Sequence, residues 1–250
     1  MSSVVDIKNT IKAKKASIGS WLQIPSPDVA EIMGRAGYDW VAVDLEHGAF
    51  TRSDLPGIFR AIESGGAVPF ARVADCTITS IKGALDSGAG GLIFPMIESR
   101  EQLDKAIALS LYPPAGMRGV GFCRANSFGE EFVRGLASNA DTLFCAQIEH
   151  IRALDNLGEI LAHPRLDAIM VGPYDLSGSM GLTGQLDHPD FKAMLETITR
   201  KAFDSGVAVG IHVVQPDPGE LAERIAQGYV FIAYGVDTVF LCRGAGRPSL

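Results

Sequence analysis

Residues 143–175 read LFCAQIEHIRALDNLGEILAHPRLDAIMVGPYD, and the fold turns on this stretch. LFCAQIEH (143–150) is short and almost wholly apolar, the pattern of a strand buried on both faces. IRALDNLGEILAH (151–163) repeats its apolar residues at helical spacing, and DAIMVGP (167–173) is a second buried strand. Strand, helix and strand in so short a span make a crossover unit, and crossover units build parallel sheets.

The alternation continues in both directions. SIGSWLQI (17–24), DWVAVDLEH (39–47), VPFARV (68–73), GLIFPMI (91–97), VAVGIHVV (207–214) and YVFIAYG (229–235) predict six more strands. Helices are predicted over 26–37, 53–66, 79–90, 99–111, 190–206 and 218–228, often opened by Ser or Asp and closed by Gly. Eight parallel strands is the number that closes into a barrel. The rival, a doubly wound open sheet, would carry a G-x-G-x-x-G turn behind its first strand. None is present, and the Gly-rich stretch at 88–91 precedes a strand. The expected fold is therefore α/β: a single (β/α)8 TIM barrel domain over 1–250, with an extra N-terminal helix. Only DTVFLCRGAGRPSL follows the eighth strand, so the C-terminal helix is expected to be truncated. Residues 112–142 form a long connection with one helix expected near 129–139, and connections of that length usually carry function.

Composition excludes several classes of partner. With 22 basic and 29 acidic residues, a formal charge of -7, the chain has no footprint for nucleic acid. No apolar run approaches the roughly 20 residues that span a bilayer, and no secretory signal opens the chain, so no membrane partner and a cytoplasmic location are expected. Cys76, Cys123, Cys145 and Cys242 are scattered without ligand spacing and are expected as reduced thiols packed in the interior.

In such a barrel the chemistry gathers where strands end. Glu149 closes QIE and Asp175 closes GPYD on the neighbouring unit, so two carboxylates reach one rim. Mg²⁺ or Mn²⁺ takes one or two protein carboxylates and fills its octahedron with water and substrate oxygens; the competing reading is that each acid caps a helix. Arg72 ends VPFARV, where its fork reaches a ligand carboxylate or enolate, or else forms an ion pair with Asp44 or Glu46. His47 follows DLE and suits a general base if a carboxylate such as Asp86 orients its ring; a structural role is the alternative. His150, His163 and His188 read as surface or capping residues. GPYDLSGSMGLTG (172–184) has the glycines to let backbone amides approach an anion, and lacks a P-loop lysine. All eight lysines fall outside the predicted strands, so no Schiff-base lysine points into the barrel, and carbonyl chemistry here would depend on a metal.

VAVDLEHGAF (41–50), PFARV (69–73) followed by IKGALDSGAGGLIFPMIES (81–99), YPPAGMRGVG (112–121), CAQIEH (145–150) and VGPYDLSGSMGLTGQLDHP (171–189) resemble, in order and spacing, the HpcH/HpaI family of metal-dependent class II pyruvate aldolases. The likeness runs from about Gly19 to about Leu241. It implies a barrel that reversibly splits a 4-hydroxy-2-oxo acid into pyruvate and an aldehyde through a metal-stabilised enolate. By the same resemblance Glu149 and Asp175 hold the divalent ion, Mg²⁺ or Mn²⁺ first and Co²⁺ or Zn²⁺ second. Arg72 stabilises the enolate oxygen, and His47 with Asp86 moves protons. Gln147 lines the metal pocket, the backbone at Gly172, Pro173 and Tyr174 takes the carboxylate, and Trp21, Arg124 and His212 contact substrate. A homo-oligomer, hexamer or trimer, is implied as well. Two departures stand out: in the pocket, His212 replaces an apolar residue and CRANSFG (123–129) differs from the loop of members acting on long dicarboxylic substrates; and the C-terminus is short where relatives often exchange a final helix between subunits to build a hexamer. Other readings of the same site are an oxaloacetate decarboxylase, a CoA-thioester lyase with Arg118 and Arg124 as phosphate contacts, and a non-catalytic keto-acid-binding module.

Overall fold

Eight parallel strands close into a barrel in chain order, each hydrogen-bonded to the next and the eighth to the first. The computed structural model describes residues 2–137 and 141–246. The order is α1 (Val4–Lys12), β1 (Ser17–Leu22), α2 (Pro27–Arg35), β2 (Trp40–Asp44), α3 (Leu55–Gly65), β3 (Val68–Arg72), α4 (Ile78–Asp86), β4 (Gly91–Phe94) and α5 (Arg100–Ser110). A kinked 3-10 stretch (Arg124–Gly129) and α6 (Phe132–Ala137) precede β5 (Leu143–Ile148) and α7 (Ala153–Leu161). Then come β6 (Ala168–Val171), α8 (Pro173–Ser179), α9 (Pro189–Ser205), β7 (Ala208–Val213), α10 (Pro218–Ala226), β8 (Phe231–Val236) and α11 (Asp237–Gly244). The helix expected near 129–139 is α6 as far as Ala137; residues 138–140 lie outside the described residues.

The barrel interior is filled by pairing large rings with missing side chains. Trp40 of β2 stacks between Phe70 of β3 at 5.5 Å and Phe231 of β8 at 4.5 Å. A Cβ on Gly19 of β1 would run into the Trp40 ring, and one on Gly91 of β4 would press on Phe70, so glycine stands where the aromatic layer needs space. Below this layer Ile7 and Ile11 of α1 join the same buried cluster and plug the amino end of the barrel. Outside, the apolar faces of the helices pack on the strands in a second, larger cluster. Filling and plugging the lower barrel leaves the carboxyl ends of the strands as the place for a ligand.

Five strands, β1, β2, β4, β5 and β6, stop two or three residues earlier than their apolar runs suggest. β2 ends at Asp44, three residues before His47, because the Asp44 carboxylate accepts the amides of Glu46 and His47, both at 3.2 Å, and bends the chain into a turn. β4 ends at Phe94 and β5 at Ile148. The Gly-rich segment after β6 is not all loop: Pro173 starts the short helix α8, as proline does well at a first helical position. Cys242 corrects the reading of four interior thiols, since it is exposed on α11, while Cys145 is buried and Cys76 and Cys123 are partly buried. Among the described residues no helix is long and apolar enough to cross a membrane.

Candidate active site

At the carboxyl ends of the strands lies a cavity of about 350 Å³, within the range of small-ligand sites. Trp21, His47, Arg72, Gln147, Gly172, Pro173, Tyr174, Asp175 and His212 all line it. Parallel strands of similar length deliver their ends to one rim, which is why residues scattered from 21 to 212 meet.

Arg72, the last residue of β3, is 8% exposed. Its Nε and Nη2 donate to the two oxygens of Asp44 at 2.9 and 2.7 Å, and its Nη1 lies 3.1 Å from Glu46. The ion-pair alternative is thus realised with both acids at once, while the guanidinium still lines the cavity. Burial alone would raise the Asp44 carboxyl, but Arg72, with help from Gln23 and the His47 amide, holds it below the ordinary carboxylate value. The fork is a fixed cation, locked in plane by a bidentate partner.

Glu149 follows β5 directly and is 1% exposed. Its Oε1 accepts the Met96 amide at 2.7 Å and its Oε2 accepts Gln147 Nε2 at 2.6 Å. Met96 donates from a left-handed backbone, φ 53°, so the chain leaving β4 turns its amide onto the carboxylate. Across from it, a Cβ on Gly172 would collide with the carboxylate of Glu149. Burial pushes the Glu149 carboxyl up to about 7 against the pull of the Met96 amide, and the charges of Glu46 and Asp175 add to the rise. Burial, with Asp44 and Asp175, likewise raises Glu46 against the pull of Arg72 and His47. One guanidinium therefore faces three carboxylates, those of Asp44, Glu46 and Glu149, and the charge of Asp175 adds to the acid felt by Glu46 and Glu149. Beside them Gln147 Oε1 is buried without a hydrogen-bond partner. Asp175 itself is exposed, on the first turn of α8 rather than at a strand end.

His47 is exposed in the turn after β2 and lines the cavity. The chain does not bring Asp86 to it. Asp86 ends α4, a helix that returns along the outside of the barrel to the opposite mouth, and there its carboxylate takes Arg118 Nη2 at 2.8 Å. Arg124 sits at the same end, bonded to Glu63 and to the Ser87 carbonyl, beside a second cavity of about 290 Å³. Both corrections have one cause: the connection after α5 packs on the end of α4, away from the rim that holds His47. His163 is buried against Asp104 at 3.2 Å, and His188 caps α9. All eight lysines lie outside the strands.

Sequence reasoning weighed Asp44 and Glu46 only as ion-pair partners and passed over the Met96 amide. An acid at the last position of a buried strand, as Asp44 is in WVAVD, was the available signal for the first. Nothing in the residue type marks a backbone donor such as Met96.

An aromatic-filled (β/α)8 barrel with a buried carboxylate, a clamped arginine and a histidine on its carboxyl rim defines an enzyme of the barrel class. The family model of the HpcH/HpaI aldolase/citrate lyase family matches residues 17–243, and the chain belongs to that family. It is an aldolase, a carbon–carbon lyase. It is 37% identical over 238 residues to a 2-dehydro-3,6-dideoxy-6-sulfogluconate aldolase of Pseudomonas putida, covering 95% of this chain and 92% of that one. With a hydroxypyruvate/pyruvate aldolase of Roseobacter denitrificans it shares 34% identity over 236 residues, 94% of this chain and 91% of the other. The solved structure of an HpcH/HpaI aldolase/citrate lyase family protein from Burkholderia cenocepacia J2315 superposes with a TM-score of 0.90 at 32% identity, covering 96% and 95% of the two chains.

Proposed function

We propose that this aldolase is divalent-metal-dependent and cleaves a 4-hydroxy-2-oxo acid into pyruvate and an aldehyde. The observation that carries the reading is the excess of acid around a buried carboxylate: the charges of Glu46 and Asp175 raise Glu149, that of Asp175 also raises Glu46, and Arg72 pairs with Asp44 and Glu46. A cation resolves that opposition. The donor set suits a hard ion, since Glu149, Asp175 and the unpaired Gln147 Oε1 are all oxygens. Among the described residues no group of three or more His, Cys, Asp or Glu is arranged as a metal cluster, so the substrate and water would supply the remaining positions. When bound, the ion would act as a Lewis acid on the 2-oxo group and offset the charge that develops there, an effect of several kcal/mol.

The chain's own residues account for the rest. Arg72 aims a preorganised positive fork at the cavity, where it would stabilise the enolate oxygen left by carbon–carbon cleavage. His47, which lines the cavity and has its backbone tied to Asp44, would take the proton of the 4-hydroxyl or return one to the enolate carbon. The unpaired amides at the start of α8, Tyr174 and Asp175, would receive the substrate carboxylate. Exposed Phe122, Phe128 and Val133 support the expected homo-oligomer, because such side chains are normally covered.

The test is pyruvate release, followed with lactate dehydrogenase over a panel of 4-hydroxy-2-oxo acids with Mg²⁺, Mn²⁺ or Co²⁺ added. Turnover that EDTA abolishes and added metal restores is the expected result. Undiminished turnover after exhaustive chelation overturns the metal reading, and binding of 2-oxo acids with no turnover on any substrate overturns the reaction.

A further inference from the structure

The same cavity carries an acceptor atom for which the pyruvate half, having no hydrogen-bond donor, has no use. His212, on β7, stacks on Trp21 with ring centres 4.9 Å apart and planes at 22°. Its Nε2 lies 2.9 Å from the Gly235 carbonyl oxygen. A carbonyl oxygen can only accept, so Nε2 carries the hydrogen and Nδ1 keeps a bare lone pair. Burial, against the pull of the Gly235 carbonyl, pushes the ring down to about 4, which keeps it neutral near pH 7. Nδ1 has no partner among the described residues, and the ring lines the cavity.

The backbone is shaped to hold this arrangement. The pairing of β1 with β8 slips between Gly19 and Trp21, an irregularity that re-aims the neighbouring chain. At that point Gly235 takes φ 67°, and a Cβ there would strike the Phe240 ring. The carbonyl so presented fixes one edge of the imidazole, and Trp21 fixes its face. Of the other residues lining the cavity, Val214, Val236 and Val239 bring apolar side chains, while the Thr238 hydroxyl already donates to Gln23.

We propose that His212 Nδ1 accepts a hydrogen bond from a hydroxyl on the aldehyde half, so that the enzyme selects hydroxylated aldehydes over plain alkyl ones. The inference rests on the aldolase reading and adds the substrate class to it. A site whose acceptor is left unpaired by the wrong substrate discriminates against it.

The experiment compares glycolaldehyde with propanal, which replaces the hydroxyl by a methyl group, as partners for pyruvate with Mn²⁺ and the full chain. The quantity read is the ratio of their kcat/KM values. His212→Phe keeps the stack and removes the acceptor; His212→Leu removes both; His212→Gln keeps an N–H for Gly235 and an oxygen for the ligand. The glycolaldehyde preference should fall about tenfold in Phe and in Leu, and stay within about threefold of the parent in Gln, the size of one neutral hydrogen bond. Melting curves select the variants that fold, and the ratio is read on whichever of Phe and Leu does. An unchanged ratio in the folded variant overturns the proposal. If neither folds, a ratio in Gln within threefold of the parent's supports it and a tenfold fall overturns it. Exchange of the pyruvate methyl protons for deuterium in the parent protein separates the two failures: exchange with an unchanged ratio removes only the role of His212, whereas no exchange removes the aldolase reading itself.

Discussion

Replacing Glu149 by Gln should stabilise the metal-free protein at alkaline pH while destroying its response to metal. The lift of the Glu149 carboxyl from the ordinary 4.5 to about 7, caused first by burial, means that its charged form is worth about 3 kcal/mol less in the fold than in the unfolded chain. The folded value is raised, so the contribution is fully present below about 4.5 and is lost as the pH climbs through 7. Gln is nearly isosteric and uncharged. Its oxygen can keep the Met96 amide, and its NH2 group can donate to the Gln147 oxygen once that amide turns over, so Gln147 still has one unpaired atom, now its nitrogen in place of its oxygen. The gap in stability between variant and parent should therefore be near zero at pH 4.5 and grow to about 3 kcal/mol at pH 8.5. For a chain of this size that is roughly 6–12 °C in melting temperature. The assay is thermal melting in EDTA across that range, repeated with Mn²⁺. Added Mn²⁺ should raise the parent's melting temperature by mass action and leave the variant's unchanged. A gap that is the same at pH 4.5 and 8.5, or a variant that still responds to Mn²⁺, refutes the reasoning.

Arg72→Lys should lower kcat by about 10²–10³, because a point charge cannot hold both oxygens of Asp44 and still face the cavity; circular dichroism should show the fold intact, and unchanged turnover would make Arg72 purely structural. Gly172→Ala should weaken Mn²⁺ binding by tenfold or more in calorimetry, since its Cβ displaces the Glu149 carboxylate; parental affinity would show that this contact is not part of the ion site. Burial depresses His212 to about 4 where an unfolded histidine titrates near 6.5, so its contribution to stability is present above 6.5 and is lost as the pH falls toward 4; His212→Gln should flatten that part of the melting-temperature profile, and an unaltered profile would place the acid sensitivity elsewhere.

The barrel was legible because its strands are buried on both faces, so each reads as an unbroken apolar run, and because the helices between them carry Ser caps such as Ser26 and Ser99. What composition alone could not fix was where each run leaves the sheet. DWVAVDLEH is apolar enough to carry a strand past Asp44, but the Asp44 carboxylate captures two amides and stops it there. The turn then hands His47 to the cavity from a loop, a placement that propensity does not encode. The same limit applies after β6, where Pro173 converts an expected glycine loop into a helical turn and moves Asp175 off the strand.

Within the site, legibility followed chain geometry. Residues at or just beyond strand ends, among them Trp21, Arg72, Gln147 and His212, could be assigned to one rim because the barrel makes that rim common to every strand. Asp86 and Arg124 obey no such rule. One ends a helix and the other sits in a long connection, and from either position a side chain can turn to any partner within reach, here Arg118 in the first case and Glu63 and Ser87 in the second. The Met96 amide marks the opposite limit. It needs no particular side chain, only a backbone held at positive φ, yet it binds the buried carboxylate of the two that the proposed metal chemistry uses. A peptide group that any residue could supply thus takes part in setting the charge of Glu149. Residue identity therefore locates such a site more readily than it explains how the site is tuned.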